Sequence, residues 1–221
     1  MRLPRVPHTA GLYLISGVCG LVDAACYLSL GEVFAEMMTG NLLLICFYTG
    51  SGQPILEHTV YLYALGAFAL GAISGGRIVR GPRGETRFGF KVEWALLVLA
   101  LLLSMTVDPV ASTAGRDAVI SILAFAMGLQ NALLRKHGVP DLATNVMTLT
   151  LTAFFAETSL AGGRNERWRR RLGSVTTFMA GATLGALLTL SIGPWAPLMV
   201  AVAVFTVALL GLTNRDPAEV R

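Results

Sequence analysis

Residues 20–23 read Gly20-Leu21-Val22-Asp23 and residues 38–41 read Met38-Thr39-Gly40-Asn41; about a hundred residues later come Gly128-Leu129-Gln130-Asn131 and Met147-Thr148-Leu149-Thr150. Asp23 and Asn131 are 108 positions apart, and Thr39 and Thr148 are 109. A third echo pairs Gly71 and Gly75 with Gly181 and Gly185 at an offset of 110. Near-constant offsets over three separate matches mark a duplicated unit. The stretches also place polar side chains inside apolar surroundings, and a duplicated membrane half with polar residues at bilayer depth is the usual architecture of a permeation path.

Composition carries the membrane assignment. The 221 residues are 54% hydrophobic and 14% charged, with a mean hydropathy of +0.66, against about 25% charged in soluble domains. The apolar residues form blocks at Gly11–Leu30, Thr59–Ile78, Val92–Val107, Ala118–Leu134, Val175–Ile192 and Leu198–Leu212. Each approaches the roughly 20 residues that span a hydrocarbon core. Two further blocks, Leu42–Gly50 and Val146–Leu160, are shorter or Thr-rich, and they decide the topology.

Basic residues gather in cytoplasmic loops. One cluster holds Arg77, Arg80, Arg83, Arg87 and Lys91; the other holds Arg164, Arg167, Arg169, Arg170 and Arg171. With both inside, an even number of crossings separates them, and the third and fourth apolar blocks supply two. The Thr-rich block after Pro140 then enters and returns on one side. The same argument applies to Leu42–Gly50, given Arg2 and Arg5 before the first span. The reading is an all-α membrane protein: six transmembrane helices, two re-entrant half-helices, both termini cytoplasmic, one integral membrane domain over 1–221. Of the 17 Lys and Arg, Arg116 alone falls outside. Three crossings per half make the repeat inverted, 10–107 against 118–213.

Backbone chemistry gives the re-entrant segments their expected form. Non-helical backbone survives at membrane depth only against protein or a water-filled cavity. In the first copy, Met38-Thr39-Gly40-Asn41 offers a capping hydroxyl and a flexible Gly ahead of an apolar run. Pro140 keeps the second copy extended, and Thr148 is placed to start the returning helix. Such half-helices aim their N-terminal amides at the protein centre.

The expected substrate-binding set is Asp23, Thr39, Gly40, Asn41, Gln130, Asn131 and Thr148. Intramembrane ionisable residues usually face a cavity or partner, although a protonated Asp also serves as a packing contact. Ser16, Gly20 and Tyr27 share the helical face of Asp23 and suit an interior wall. Gln130 and Asn131 serve equally as interhelical hydrogen-bond glue. The Gly71/Gly75 and Gly181/Gly185 pairs read as helix packing. Glu157 fits either a proton path or the headgroup layer.

Cys19, Cys26 and Cys46 sit in apolar segments without a C-x-x-C spacing, which argues against metal and redox motifs. No nucleophile–base pair, phosphate loop or dinucleotide fingerprint is legible, so neither an enzyme nor a cofactor is expected. The Arg clusters occupy short loops, and no nucleic-acid role is read into them. Arg2 and Arg5 before an apolar stretch superficially resemble a signal peptide. The repeat begins inside that stretch, so it is read as a retained first span.

Gly20-x-x-Asp23-Ala24, Phe34, Met38-Thr39-Gly40-Asn41 and, in the second half, Met127-Gly128-Leu129-Gln130-Asn131-Ala132 with its Thr-rich run resemble the YoaK-like family of bacterial multi-pass membrane proteins. Leu149 departs from that pattern, which often keeps a Gly after the Thr. The resemblance implies an inner-membrane location and about six spans, with no established substrate. Two functions follow from the residues. The first is a small-solute or ion transporter or channel of the inner membrane, with a midplane site between the two re-entrant tips. Its alternative is a non-transport membrane protein, a lipid-handling or assembly factor with a structural polar core. The expected partners are the lipid bilayer and a small solute or ion, and a homo-oligomer is compatible with the sequence.

Overall fold

The computed structural model describes residues 8–81, 86–137 and 147–213. Eight α-helices account for most of them: α1 (His8–Ser29), α2 (Met38–Gly50), α3 (Thr59–Arg80), α4 (Thr86–Thr106), α5 (Thr113–His137), α6 (Met147–Ala156), α7 (Trp168–Ser191) and α8 (Trp195–Thr213). No strand occurs among the described residues. Five helical stretches are long and apolar enough to cross a membrane: Ala10–Ser29, Ile55–Arg80, Thr86–Thr106, Thr113–Arg135 and Trp168–Ser191. α8, expected as the sixth span, holds the shorter apolar stretch Trp195–Leu210 among its described residues.

The chain packs two central helices inside a sheath. α1 and α5 are mostly buried, while α3, α4 and α7 turn large apolar side chains outward, as lipid-facing helices do. The close packing depends on glycine. Gly20 of α1 lies against the Phe178 carbonyl and the Ala182 amide of α7, and Gly128 of α5 meets the Phe68 carbonyl and the Ala72 amide of α3. A Cβ at either position would run into main chain. Gly71 packs on the Phe125 carbonyl and Gly181 on the Gly17 carbonyl; Gly75 meets Leu129 and Ala132, and Gly185 meets Leu21 and Ala24. The expectation that these glycines pack helices is met. The partners of each pair are themselves 108 or 110 positions apart, so the two interfaces match residue for residue.

These contacts also fix the helix directions. Ser16 donates to the Ser174 carbonyl at 3.2 Å, Gly20 meets Phe178, and Gly185 meets Ala24, so α1 and α7 run parallel. α3 and α5 run parallel by the contacts just given. α1 and α5 are antiparallel, because Gln130 touches Cys19 and the Arg116 side chain lies against Gly31. The end of α1 and the start of α3 therefore lie at the same end of the bundle, as do the end of α5 and the start of α7. α2 and α6 sit within those two connections.

Two sequence expectations need correction. Thr39 is not a cap: α2 begins at Met38, Met37 holds the cap position, and no side chain bonds the free amides there. Arg171 is not a loop charge. It lies in the first turn of α7 and is buried, because its guanidinium is held by the end of α6.

Candidate functional site

After α1 the chain turns back on itself. Gly31 (φ 99°) and Glu32 (φ 55°) both take left-handed conformations, which Gly adopts without a Cβ penalty. Residues 33–36 then run back along α1 until the Ala35 and Glu36 amides each donate to Asp23 Oδ1 at 2.9 Å. Asp23 lies six residues before the end of α1, about 9 Å at 1.5 Å per residue. The descending strap is thus pinned deep beside the helix it came from.

Asn41 secures the same strap from α2. Its Oδ1 accepts from the Phe34 amide at 2.9 Å and its Nδ2 donates to the Phe34 carbonyl at 2.8 Å, so one carboxamide satisfies both polar groups of one peptide residue. Unpaired, those buried groups would be costly. The Phe34 ring stacks on Tyr27 at 4.9 Å and covers Gly40 so closely that a Cβ there would sit 2.8 Å from it. Asp23, Gly40 and Asn41 therefore shape the tip that leads into α2.

Thr39 and Thr148 face open space. They line one cavity of about 310 Å³ together with Glu36, Met37, Met38, Met147, Phe68 and Phe178. Its two walls correspond: Met38 with Met147 and Thr39 with Thr148 at 109 positions, Phe68 with Phe178 at 110. The first turns of α2 and α6 open on it, and helix N-termini present positive partial charge. Among the described lining residues, Glu36 supplies the carboxylate. The residue 109 positions on, Asn145, lies outside the described residues, as does the Pro140 segment.

Gln130 and Asn131 lie apart from that cavity wall. Gln130 is buried and its Nε2 meets Cys19 Sγ at 3.1 Å, joining α5 to α1. Asn131 Nδ2 donates to the Met127 carbonyl one turn back at 2.9 Å. Ser16 and Gly20, expected on an interior wall, instead form the α7 interface, and Tyr27 is exposed. The sequence reading passed over Glu93 of α4, which is 0% exposed. Gly89, one turn earlier, packs on Leu133 of α5, which brings Glu93 level with Gln130. The signal was partial: Glu93 is the lone carboxylate of α4, but it comes two residues after Lys91, at the edge of the apolar run. Among the described residues no three His, Cys, Asp or Glu side chains are grouped to hold a metal ion.

Five apolar helices of membrane-spanning length, packed on a mainly apolar core that holds a few buried polar side chains, make this a multi-pass α-helical membrane protein. The chain belongs to the family described as protein of unknown function DUF1275, which it matches over residues 11–210. It is 30% identical over 161 residues to the UPF0700 transmembrane protein YoaK of Bacillus subtilis (strain 168), covering 68% of this chain and 70% of that protein. No solved structure matches it.

Proposed function

We propose that this protein is a small-solute or ion transporter or channel of the bacterial inner membrane, and that the cavity between the first turns of α2 and α6 is its binding site. The observation that carries this reading is the lining: equivalent Met, Thr and Phe side chains from both halves converge on one space beside the Glu36 carboxylate. Thr39 and Thr148 would supply neutral hydrogen bonds and Glu36 the charge. Asp23 and Asn41 hold the tip in place, and Gln130 joins α5 to α1 through Cys19. A binding cleft with few polar groups among apolar walls suits a small ligand.

The topology within this proposal is six crossings with two re-entrant segments, arranged as an inverted repeat of 10–107 and 118–213, with both termini cytoplasmic. Three facts support it: the helix directions, the matched glycine interfaces and the two Arg clusters, Arg77 to Lys91 and Arg164 to Arg171. α8 is then the sixth crossing.

Flux and binding on purified protein in liposomes, across a panel of small ions and metabolites, test the activity. Uptake by the parent that falls in Glu36→Gln and in Thr39→Val is expected; no flux or binding for any member of the panel overturns the transport reading. In a Cys-free background, single cysteines at Arg87 and Arg164 should resist a membrane-impermeant thiol reagent applied to intact cells, whereas one at Ser51 should react. Labelling of Arg87 or Arg164 from outside contradicts the topology.

A further inference from the structure

The connection from α6 to α7 is short, closed on itself and dense in positive charge. Residues 157–171 hold five Arg against two Glu, whereas the equivalent residues 48–61 hold no Lys or Arg and one Glu, Glu57. Backbone bonds fold the connection into one body. The Gly163 amide donates to the Thr158 carbonyl and the Asn165 amide to the Glu157 carbonyl, both at 2.9 Å. Asn165 Oδ1 accepts from the Ser159 amide at 3.1 Å, and Arg171 grips Glu157 at 2.7 Å from the other side. Arg164 and Arg169 stand exposed on this loop, with Arg170 half-buried beside them. Arg170 Nε has no hydrogen-bond partner among the described residues.

The same loop presents apolar groups. Leu160 is 97% exposed and Trp168 42%, and the Arg169 guanidinium lies 5.5 Å from the centre of the Trp168 ring. Trp168 begins the membrane-length stretch Trp168–Ser191, so the loop lies at headgroup depth. Trp is at home there, and Arg can rest its stem on apolar surface while its guanidinium stays among polar groups. The basic residues also crowd the first turn of α7, which has no side-chain cap; cations are disfavoured at that end of a helix dipole, and an anion among them offsets the cost. Orienting a membrane protein needs only a count of basic residues on one side. It does not need an outstretched leucine beside a stacked Trp–Arg pair on a hydrogen-bonded loop.

We propose that the α6–α7 loop binds the headgroup of an anionic phospholipid. Arg164, Arg169 and Arg170 hold its phosphate, which the planar guanidinium fork suits, while Leu160 and Trp168 lie against the glycerol and the upper acyl chains. The site is separate from the cavity, and lipid binding here is independent of the transport reading.

Native mass spectrometry of the purified protein, with phosphatidylglycerol or phosphatidylcholine added to the detergent, tests this. The parent should retain phosphatidylglycerol in preference to phosphatidylcholine; equal retention overturns the proposal. An Arg near an anionic lipid surface contributes about fivefold in binding, so the Arg164→Gln/Arg169→Gln/Arg170→Gln variant should lose about 100-fold. Arg77→Gln/Arg80→Gln should leave retention unchanged, and an equal loss there shows that any basic helix end will serve, which overturns the site. Displacement of phosphatidylglycerol by equimolar inorganic phosphate identifies a free-anion site and overturns the lipid assignment. Should the triple variant fail to fold, Arg169→Gln alone decides: a loss of about fivefold supports the proposal and unchanged retention overturns it.

Discussion

The two short helices end in different chemistry at equivalent places. At the end of α2, Tyr48 stacks on His58 at 3.7 Å and on Tyr61 at 5.9 Å, at the start of α3. At the end of α6, Glu157 and the Ala153 carbonyl take the Arg171 guanidinium at 2.7 and 2.8 Å, at the start of α7. Tyr48 and Glu157 are 109 positions apart, Tyr61 and Arg171 are 110. One junction is aromatic, the other ionic, yet both tie a short helix to the long helix that follows it. Backbone packing is shared by the halves, whereas side-chain chemistry at the junctions is free to follow its surroundings. Aromatic rings suit either membrane interface, while Arg belongs on the cytoplasmic side.

The strongest test of that division lies in the shared packing. Gly20→Ala and Gly128→Ala each force a methyl into main chain and should destabilise by about 1–3 kcal/mol, read as comparable losses of melting temperature in detergent. If one glycine tolerates the change, the interfaces are not equivalent. The junctions should differ more. Arg171→Met removes a buried charged donor and should lower stability by about 1–3 kcal/mol. Glu157→Gln, at an exposed partner, should shift it by about 1 kcal/mol or less. Equal melting shifts for these two variants would show that the pair, not the Ala153 carbonyl, fastens α6.

Asp23 and Asn131 sharpen the comparison at the tips. Asp23→Asn keeps an acceptor for the Ala35 and Glu36 amides, so it should melt within about 1 kcal/mol of the parent. Asp23→Leu leaves both amides unpaired and should be clearly less stable. Asn131→Asp should be tolerated better than Asn131→Leu, judged by yield and melting. The smallest structural effects belong to Thr39→Val and Thr148→Val, about 0.5 kcal/mol or less at exposed positions. Both should still reduce flux, and a loss confined to one would make the cavity functionally one-sided.

Much of this was legible in the sequence because it depended on spacing. Apolar blocks gave the long helices, and the offsets picked out the glycines that pack and the threonines that share a cavity. What was missed depended on depth. Glu93 follows Arg87 and Lys91, so it reads as another headgroup charge until Gly89 draws α4 onto Leu133. Arg171 ends a run of basic residues and reads as loop; only the guanidinium's grip on α6 makes it a buried helical residue. The role of Asn41 was hidden for a similar reason, since an amide that completes a peptide group looks in sequence like any polar site residue.

The interlacing of the helices has a further meaning for biosynthesis. Ser16 meets its α7 partner across 158 positions of chain, and α5 packs on α3 rather than on α7. At about 5–20 residues per second of translation, the small-residue face of the first helix waits roughly 8–30 s for the surface that will cover it. The α1–α7 interface therefore forms only after Trp168–Ser191 has been made, and a chain truncated before Trp168 lacks the surface that covers Gly20.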